Sequence, residues 1–147
     1  MSEATRNFLL NQLAPNKITS SLTELKSGAA KFRLAIERCE RRRLVRTFQD
    51  FPTGSCGDAA LLLRAFLQEQ GLGTFAYILG WRETDRGWGS HAWLEASGVI
   101  VDITADQFPE IDEKVIVGGS YPLSHLYEHF GLVRLSRLEH DVPWTKA

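Results

Sequence analysis

The sequence predicts an α+β domain in which helices pack on one face of a mostly antiparallel sheet. Three observations carry that expectation. Helical periodicity is concentrated in the first half, two strand-like runs joined by a two-residue turn follow it, and 147 residues suit one core better than two. Hydrophobic residues at 44% and charged residues at 24% are typical of folded chains, which excludes disorder and coiled-coil arrays as descriptions of the whole. The chain is read as one domain, 1–147, with 1–48 as an N-terminal helical segment.

Residues 5–13 (TRNFLLNQL) suggest a short amphipathic helix ended by Pro15. From Ser21 the pattern is stronger. Leu22, Leu25, Ala29, Phe32, Ile36 and Cys39 recur at steps of three and four, the spacing of one helical face, and Ser21 with Glu24 has capping-box spacing. This helix is expected to run to about Arg46 with its Arg-rich side in water. Residues 49–55 (QDFPTGS) read as a loop, and 56–70 as a second, more apolar helix stopped by Gly71.

Residues 74–81 (TFAYILGW) have the aromatic and branched composition of a buried strand, and 82–90 read as a polar loop. HAWLEA and VIVDIT, separated by Ser97 and Gly98, form an antiparallel hairpin. Residues 114–117 suggest a further strand, 123–130 a short helix and 132–138 a last strand.

Seventeen basic against eighteen acidic residues leave a formal charge of −1, so no global field gathers nucleic acid. The basic stretch 24–46, including Arg41, Arg42 and Arg43, reads as a solvated helix face without the interleaved aromatics that single strands require. No apolar stretch reaches the ~20 residues of a membrane helix, and MSEATRNFLLNQLAP lacks a signal core, so a cytoplasmic location is expected. Two cysteines are too few for a disulfide framework.

Chemistry enters at Gly54-Ser55-Cys56-Gly57-Asp58, where Ser55 and Asp58 again have capping-box spacing and place Cys56 at the first helical position. There the unpaired N–H groups and the positive end of the helix dipole favour a negative sulfur, and Gly57 is expected to leave it open to a substrate. Asp58 opposes a second negative charge, so a partner base is needed.

The hairpin offers one. With Ser97 and Gly98 as the turn, Ala96 faces Val99 and Trp93 faces Asp102, and alternation puts Ala92, Leu94, Ala96, Val99, Val101 and Ile103 on one wholly apolar face. The other face carries His91, Trp93, Glu95, Ile100, Asp102 and Thr104. His91 and Asp102 are then diagonal neighbours at roughly 7–8 Å, within side-chain reach. A register slipped by one residue would put Asp102 in the core. Cys56, His91 and Asp102 thus read as nucleophile, base and orienter, with the Cys56 backbone N–H as an oxyanion donor. Cys39, on an apolar stripe without such neighbours, reads as structural.

GSCGDAALLLRAFLQEQG, SHAWLE and VIVDIT resemble the transglutaminase-like branch of the papain-like cysteine hydrolases, in which the nucleophile heads a helix and His and Asp follow on successive strands. The resemblance covers the central third to half of the chain. It implies a papain-like (transglutaminase-like) fold and amide or thioester chemistry through an acyl-enzyme, with a peptide or protein substrate and neither metal nor cofactor. It also implies an oxyanion Gln upstream of the nucleophile. Gln49 is the nearest, at a longer spacing than in papain. Trp93 and Trp88 are candidates to line a substrate cleft. A cysteine peptidase or amidase is the first reading, with an acyl transferase on the same triad and a non-catalytic binding or assembly module as alternatives.

His125-Leu126-Tyr127-Glu128-His129 matches the HxxEH zinc pattern, but a third ligand would have to come from the 18 residues that follow, where Glu139, His140 and Asp141 are the options. The reading of that segment as a polar helix face is preferred.

Overall fold

The computed structural model describes residues 2–3, 16–85, 87–123 and 132–135. The expected 5–13 helix, the 123–130 helix apart from Leu123, and the HxxEH motif lie outside the described residues. The order of elements is β1 (Lys17–Ile18), α1 (Leu22–Arg38), α2 (Cys56–Glu69), β2 (Gly73–Thr74), β3 (Ala76–Thr84), β4 (Gly87–Ala96), β5 (Val99–Asp102), β6 (Ile116–Gly118) and β7 (Leu132–Leu135). The last of these covers the start of the strand expected over 132–138. Five strands form an antiparallel sheet in the order β6-β5-β4-β3-β7, and β1 pairs with β2. The architecture is α+β.

Helix α1 starts as its sequence prescribes: the Ser21 hydroxyl accepts from the Glu24 N–H at 3.1 Å. It stops earlier than expected. Cys39 is extended, and its N–H donates to the Ala35 and Ile36 carbonyls. Two single-turn 3₁₀ segments, Arg41–Arg43 and Arg46–Phe48, replace the predicted continuation to Arg46. A continued helix would have stacked Arg38, Arg42 and Arg46 at intervals of four, an arrangement of repelling like charges. The turns instead let Glu40 pair with Arg42 at 2.6 Å and bury Phe48.

The outer Arg-rich face also needs correction at one position. Arg33 is only 4% exposed. Its guanidinium makes a two-pronged pair with Asp106 (2.5 and 2.8 Å), a bond to Glu37 (2.7 Å), and donates to the carbonyls of Ile103 (2.8 Å) and Lys114 (3.0 Å). Fork-shaped donation of this kind satisfies a buried cation in a way an ammonium could not. It ties α1 to the chain that leaves β5. Burial alone would lower the Arg33 pKa, but Asp106 and Glu37 outweigh it and hold the cation more firmly, while Arg33 pulls Glu37 below the ordinary carboxylate range.

The predicted loop over 82–90 is a hairpin instead, with Arg82 paired to Gly89, Glu83 to Trp88 and Thr84 to Gly87. Beyond it, Leu94↔Val101, Glu95↔Ile100 and Ala96↔Val99 give the β4–β5 register that the Ser97-Gly98 turn dictates. Gly98 takes φ +78° and Ser97 φ +50°, the left-handed pair that such a turn requires.

Alternation sends Ala92, Leu94, Ala96, Val101 and Ile103 into a core shared with Leu25 and Ala29 of α1 and Ala59, Ala60, Leu63 and Leu67 of α2. The opposite face is covered too, which single-sided stacking did not anticipate. Ile78 and Trp93 meet Ala105, Ile111, Ile116, Tyr121 and Leu123 in a second apolar cluster, largely from the irregular chain between β5 and residue 123.

Candidate active site

Helix α2 begins at Cys56 with Ser55 as its N-cap. The expected capping box does not form, since the Ser55 hydroxyl donates back to the Thr53 carbonyl at 3.4 Å. The first intrahelical bond runs from the Ala59 N–H to the Ser55 carbonyl at 2.8 Å, so the N–H groups of Cys56, Gly57 and Asp58 precede the helical ladder. At Gly57 a Cβ would lie 3.3 Å from the Tyr77 hydroxyl, so the glycine also lets that phenol pack against the helix start. That buried phenol stands beside the helix start and is kept protonated by burial and by the charges of Cys56 and Asp58.

His91 is fully buried on β4, and its Nε2 lies 2.7 Å from Asp102 Oδ2. Asp102, at 2% exposure, receives three further bonds. Tyr121 Oη donates to Oδ2 at 2.6 Å, and the Thr104 N–H and hydroxyl donate to Oδ1 at 2.8 and 3.3 Å. Burial would raise this carboxyl, but His91, Tyr121 and Thr104 outweigh it, so Asp102 stays ionised with its pKa lowered. A carboxylate with no proton to give makes Nε2 the donor of the His91–Asp102 bond. The other nitrogen, Nδ1, is thereby left to serve the thiol.

Cys56 is half-buried, and its thiol is one of the groups that raise the His91 pKa. Burial pulls the imidazole pKa down, yet the charge and hydrogen bond of Asp102, reinforced by Cys56, carry it up to about 9. His91 therefore holds two protons at neutral pH, an acid facing the sulfur on one side and a carboxylate on the other.

Aromatic rings fix the plane of the imidazole. Trp93 stacks on it with centroids 5.9 Å apart and 29° between planes, and Phe108 meets it edge-on at 4.9 Å. Trp93 is itself 2% exposed, with its indole N–H donated to Glu95 at 3.1 Å, so it walls the imidazole and not an open cleft. Trp88 sits on β4 opposite Glu83, its side chain lying outside the described residues. The space between Cys56, Ala60, Trp93, Asp102 and Thr104 is too small for a water molecule, so a substrate would have to approach the half-buried Cys56 from outside it.

Gln49 is not brought into this cluster. Its amide nitrogen donates to the carbonyls of Arg41 and Leu44, both at 2.6 Å, which spends both protons on tying the 3₁₀ turns together. A different amide is in place: Gln107 Nε2 lies 3.4 Å from His91 Nδ1 and donates to the Thr104 carbonyl at 3.0 Å.

The sequence reading missed Gln107, Thr104 as a ligand of Asp102, Tyr121 and Phe108. Thr104 alone left a usable trace, because a Thr two residues beyond an Asp has the spacing of a turn that a carboxylate closes. Among the described residues no group of three or more His, Cys, Asp or Glu side chains gathers to hold a metal, and no helix is long and apolar enough to cross a membrane. No family model, curated protein or solved structure matches the chain.

Proposed function

We propose that this protein is a cysteine hydrolase, a peptidase or amidase of the papain-like, transglutaminase-like type, working through an acyl-enzyme on Cys56. The observation that carries the reading is the run of hydrogen bonds from the Tyr121 hydroxyl through Asp102 to His91, an imidazole whose pKa is also raised by Cys56 at a helix start. Each member has a role fixed by its surroundings. Asp102, held ionised, keeps a proton on Nε2 and the ring in one orientation. The proton on Nδ1 of His91 at neutral pH is the one the thiol has given up, and the imidazolium stabilises the resulting sulfur anion.

The sulfur then adds to the carbonyl carbon of an amide or thioester, and electrons move to the carbonyl oxygen. On collapse, the bond to the leaving group breaks, and the Nδ1 proton passes to that group as it departs. Neutral His91 next removes a proton from water as its oxygen attacks the thioester, and the Cys56 sulfur leaves. Proton transfer by a positioned side chain contributes about 10²–10⁴-fold in such steps. A peptide or protein is the substrate class, reached from the solvent side of Cys56, and the setting is the cytoplasm.

Alkylation of the two cysteines tests this at low cost. With iodoacetamide between pH 5 and 9, Cys56 is expected to react faster than Cys39 at neutral pH, and His91→Ala is expected to remove the difference. Slow and equal labelling of both thiols would sink the reading in favour of a binding module with an idle sulfur.

A further inference from the structure

We propose that Gln107 is the side-chain oxyanion donor of this site, presenting an amide proton to the carbonyl oxygen of an acyl group on Cys56. The inference rests on the acyl-enzyme reading above and adds to it a residue on the segment after β5.

The amide's orientation is fixed by chemistry. The Thr104 carbonyl can only accept, so the Gln107 atom 3.0 Å away is the nitrogen, and one of its two protons is committed there. The second is directed to the neighbourhood of His91 Nδ1, 3.4 Å from the same nitrogen. Because Nε2 belongs to Asp102, Nδ1 is the ring nitrogen left for the Cys56 thiol, and Gln107 lies against that same nitrogen.

What the second proton meets depends on how many protons His91 carries. When Nδ1 is a bare lone pair, the amide can donate to it. When Nδ1 bears a proton, two donors face each other and the amide must find another acceptor. The imidazole sits in that second state at neutral pH, its pKa being about 9. The acceptor that arrives during reaction is the carbonyl oxygen, which gains negative charge as sulfur bonds to its carbon. Gln107 thus delivers its proton while His91 is the acid, when the tetrahedral oxyanion exists, and is drawn back to Nδ1 once that proton has gone to the leaving group. The Cys56 N–H, ahead of the first helical bond, supplies the second donor. Gln107 is half-buried, so its amide is not sealed in the packed interior.

Two reactions of the same sulfur separate this role from a structural one. Iodoacetamide alkylates by displacement of iodide and builds no oxyanion. p-Nitrophenyl acetate acetylates by addition to a carbonyl: the sulfur–carbon bond forms, the carbon–oxygen bond breaks, and p-nitrophenolate leaves with the electron pair. In Gln107→Ala and Gln107→Glu, acetylation of Cys56, followed by nitrophenolate release and the mass of the acetylated protein, is expected to slow about 10²-fold. Alkylation of Cys56 is expected to stay within about twofold of the parent, which also shows that the site remains folded.

Equal slowing of both reactions would overturn the proposal, since Gln107 would then act by positioning His91. Unchanged acetylation would overturn it as well. A parent protein whose Cys56 shows neither fast alkylation nor acetylation refutes the acyl-enzyme reading itself, a result distinct from either failure.

Discussion

Replacing Asp102 with Asn should erase a pH dependence of stability that His91 builds into the fold. In the native protein the imidazole pKa is about 9, against 6.5 for an unperturbed histidine. A raised pKa means the native state binds the proton more tightly than the unfolded chain does. The resulting stabilisation is complete below 6.5 and disappears as pH rises through 9. Between those limits the native state holds one more proton, so stability falls by about 1.4 kcal/mol per pH unit, or about 3 kcal/mol across the interval. Asp102→Asn removes the largest influence that raises the imidazole, and burial then meets only the Cys56 contact in opposition. Urea titrations followed by tryptophan fluorescence at pH 6, 7, 8 and 9 should show a decline in the parent and a near-flat profile in the variant. His91→Gln, which cannot titrate, should be flat too and serves if Asp102→Asn does not fold. A flat parent, or equal declines in parent and variants, would refute the reasoning.

Tyr121→Phe deletes the 2.6 Å bond to Asp102 Oδ2 with little change of shape, and should cost about 1.5–3 kcal/mol in urea unfolding, as bonds to buried carboxylates do. It should also slow Cys56 alkylation at neutral pH, because an Asp102 that is easier to protonate holds the imidazolium less firmly. Arg33→Met leaves the Asp106 carboxylate and the Ile103 and Lys114 carbonyls without their shared donor, and should destabilise by about 3–5 kcal/mol. A midpoint shift worth less than about 1 kcal/mol would show that water replaces the guanidinium.

The hairpin could be read from sequence because a two-residue turn sets a register and alternation sets the faces. Ser97-Gly98 fixes Ala96 against Val99, and the rest follows to within a side chain's reach of His91 and Asp102. The strands through 82–90 escaped because Gly87, Gly89 and Asp85 have loop composition, whereas pairing there depends on backbone groups that composition does not report. Tyr121 reaches Asp102 across nineteen positions of irregular chain, a separation with no period to detect. Gln107 lies on a single 3₁₀ turn, too short for any hydrophobic pattern. Arg33 did leave a trace. It follows Ala29 by four on the buried stripe, and the acidic run from Asp102 to Glu113 contains no base to answer it.

That arginine makes α1 a working part of the scaffold that holds the candidate site. It grips the Ile103 carbonyl, one residue beyond Asp102, and the carboxylate of Asp106, one residue before Gln107. A fragment trimmed to begin at residue 49 would keep Cys56, His91 and Asp102 in its sequence yet lose the anchor for the chain that aims two of the site's side chains. Excision experiments and domain grafts should therefore carry the protein from before Ser21 onward.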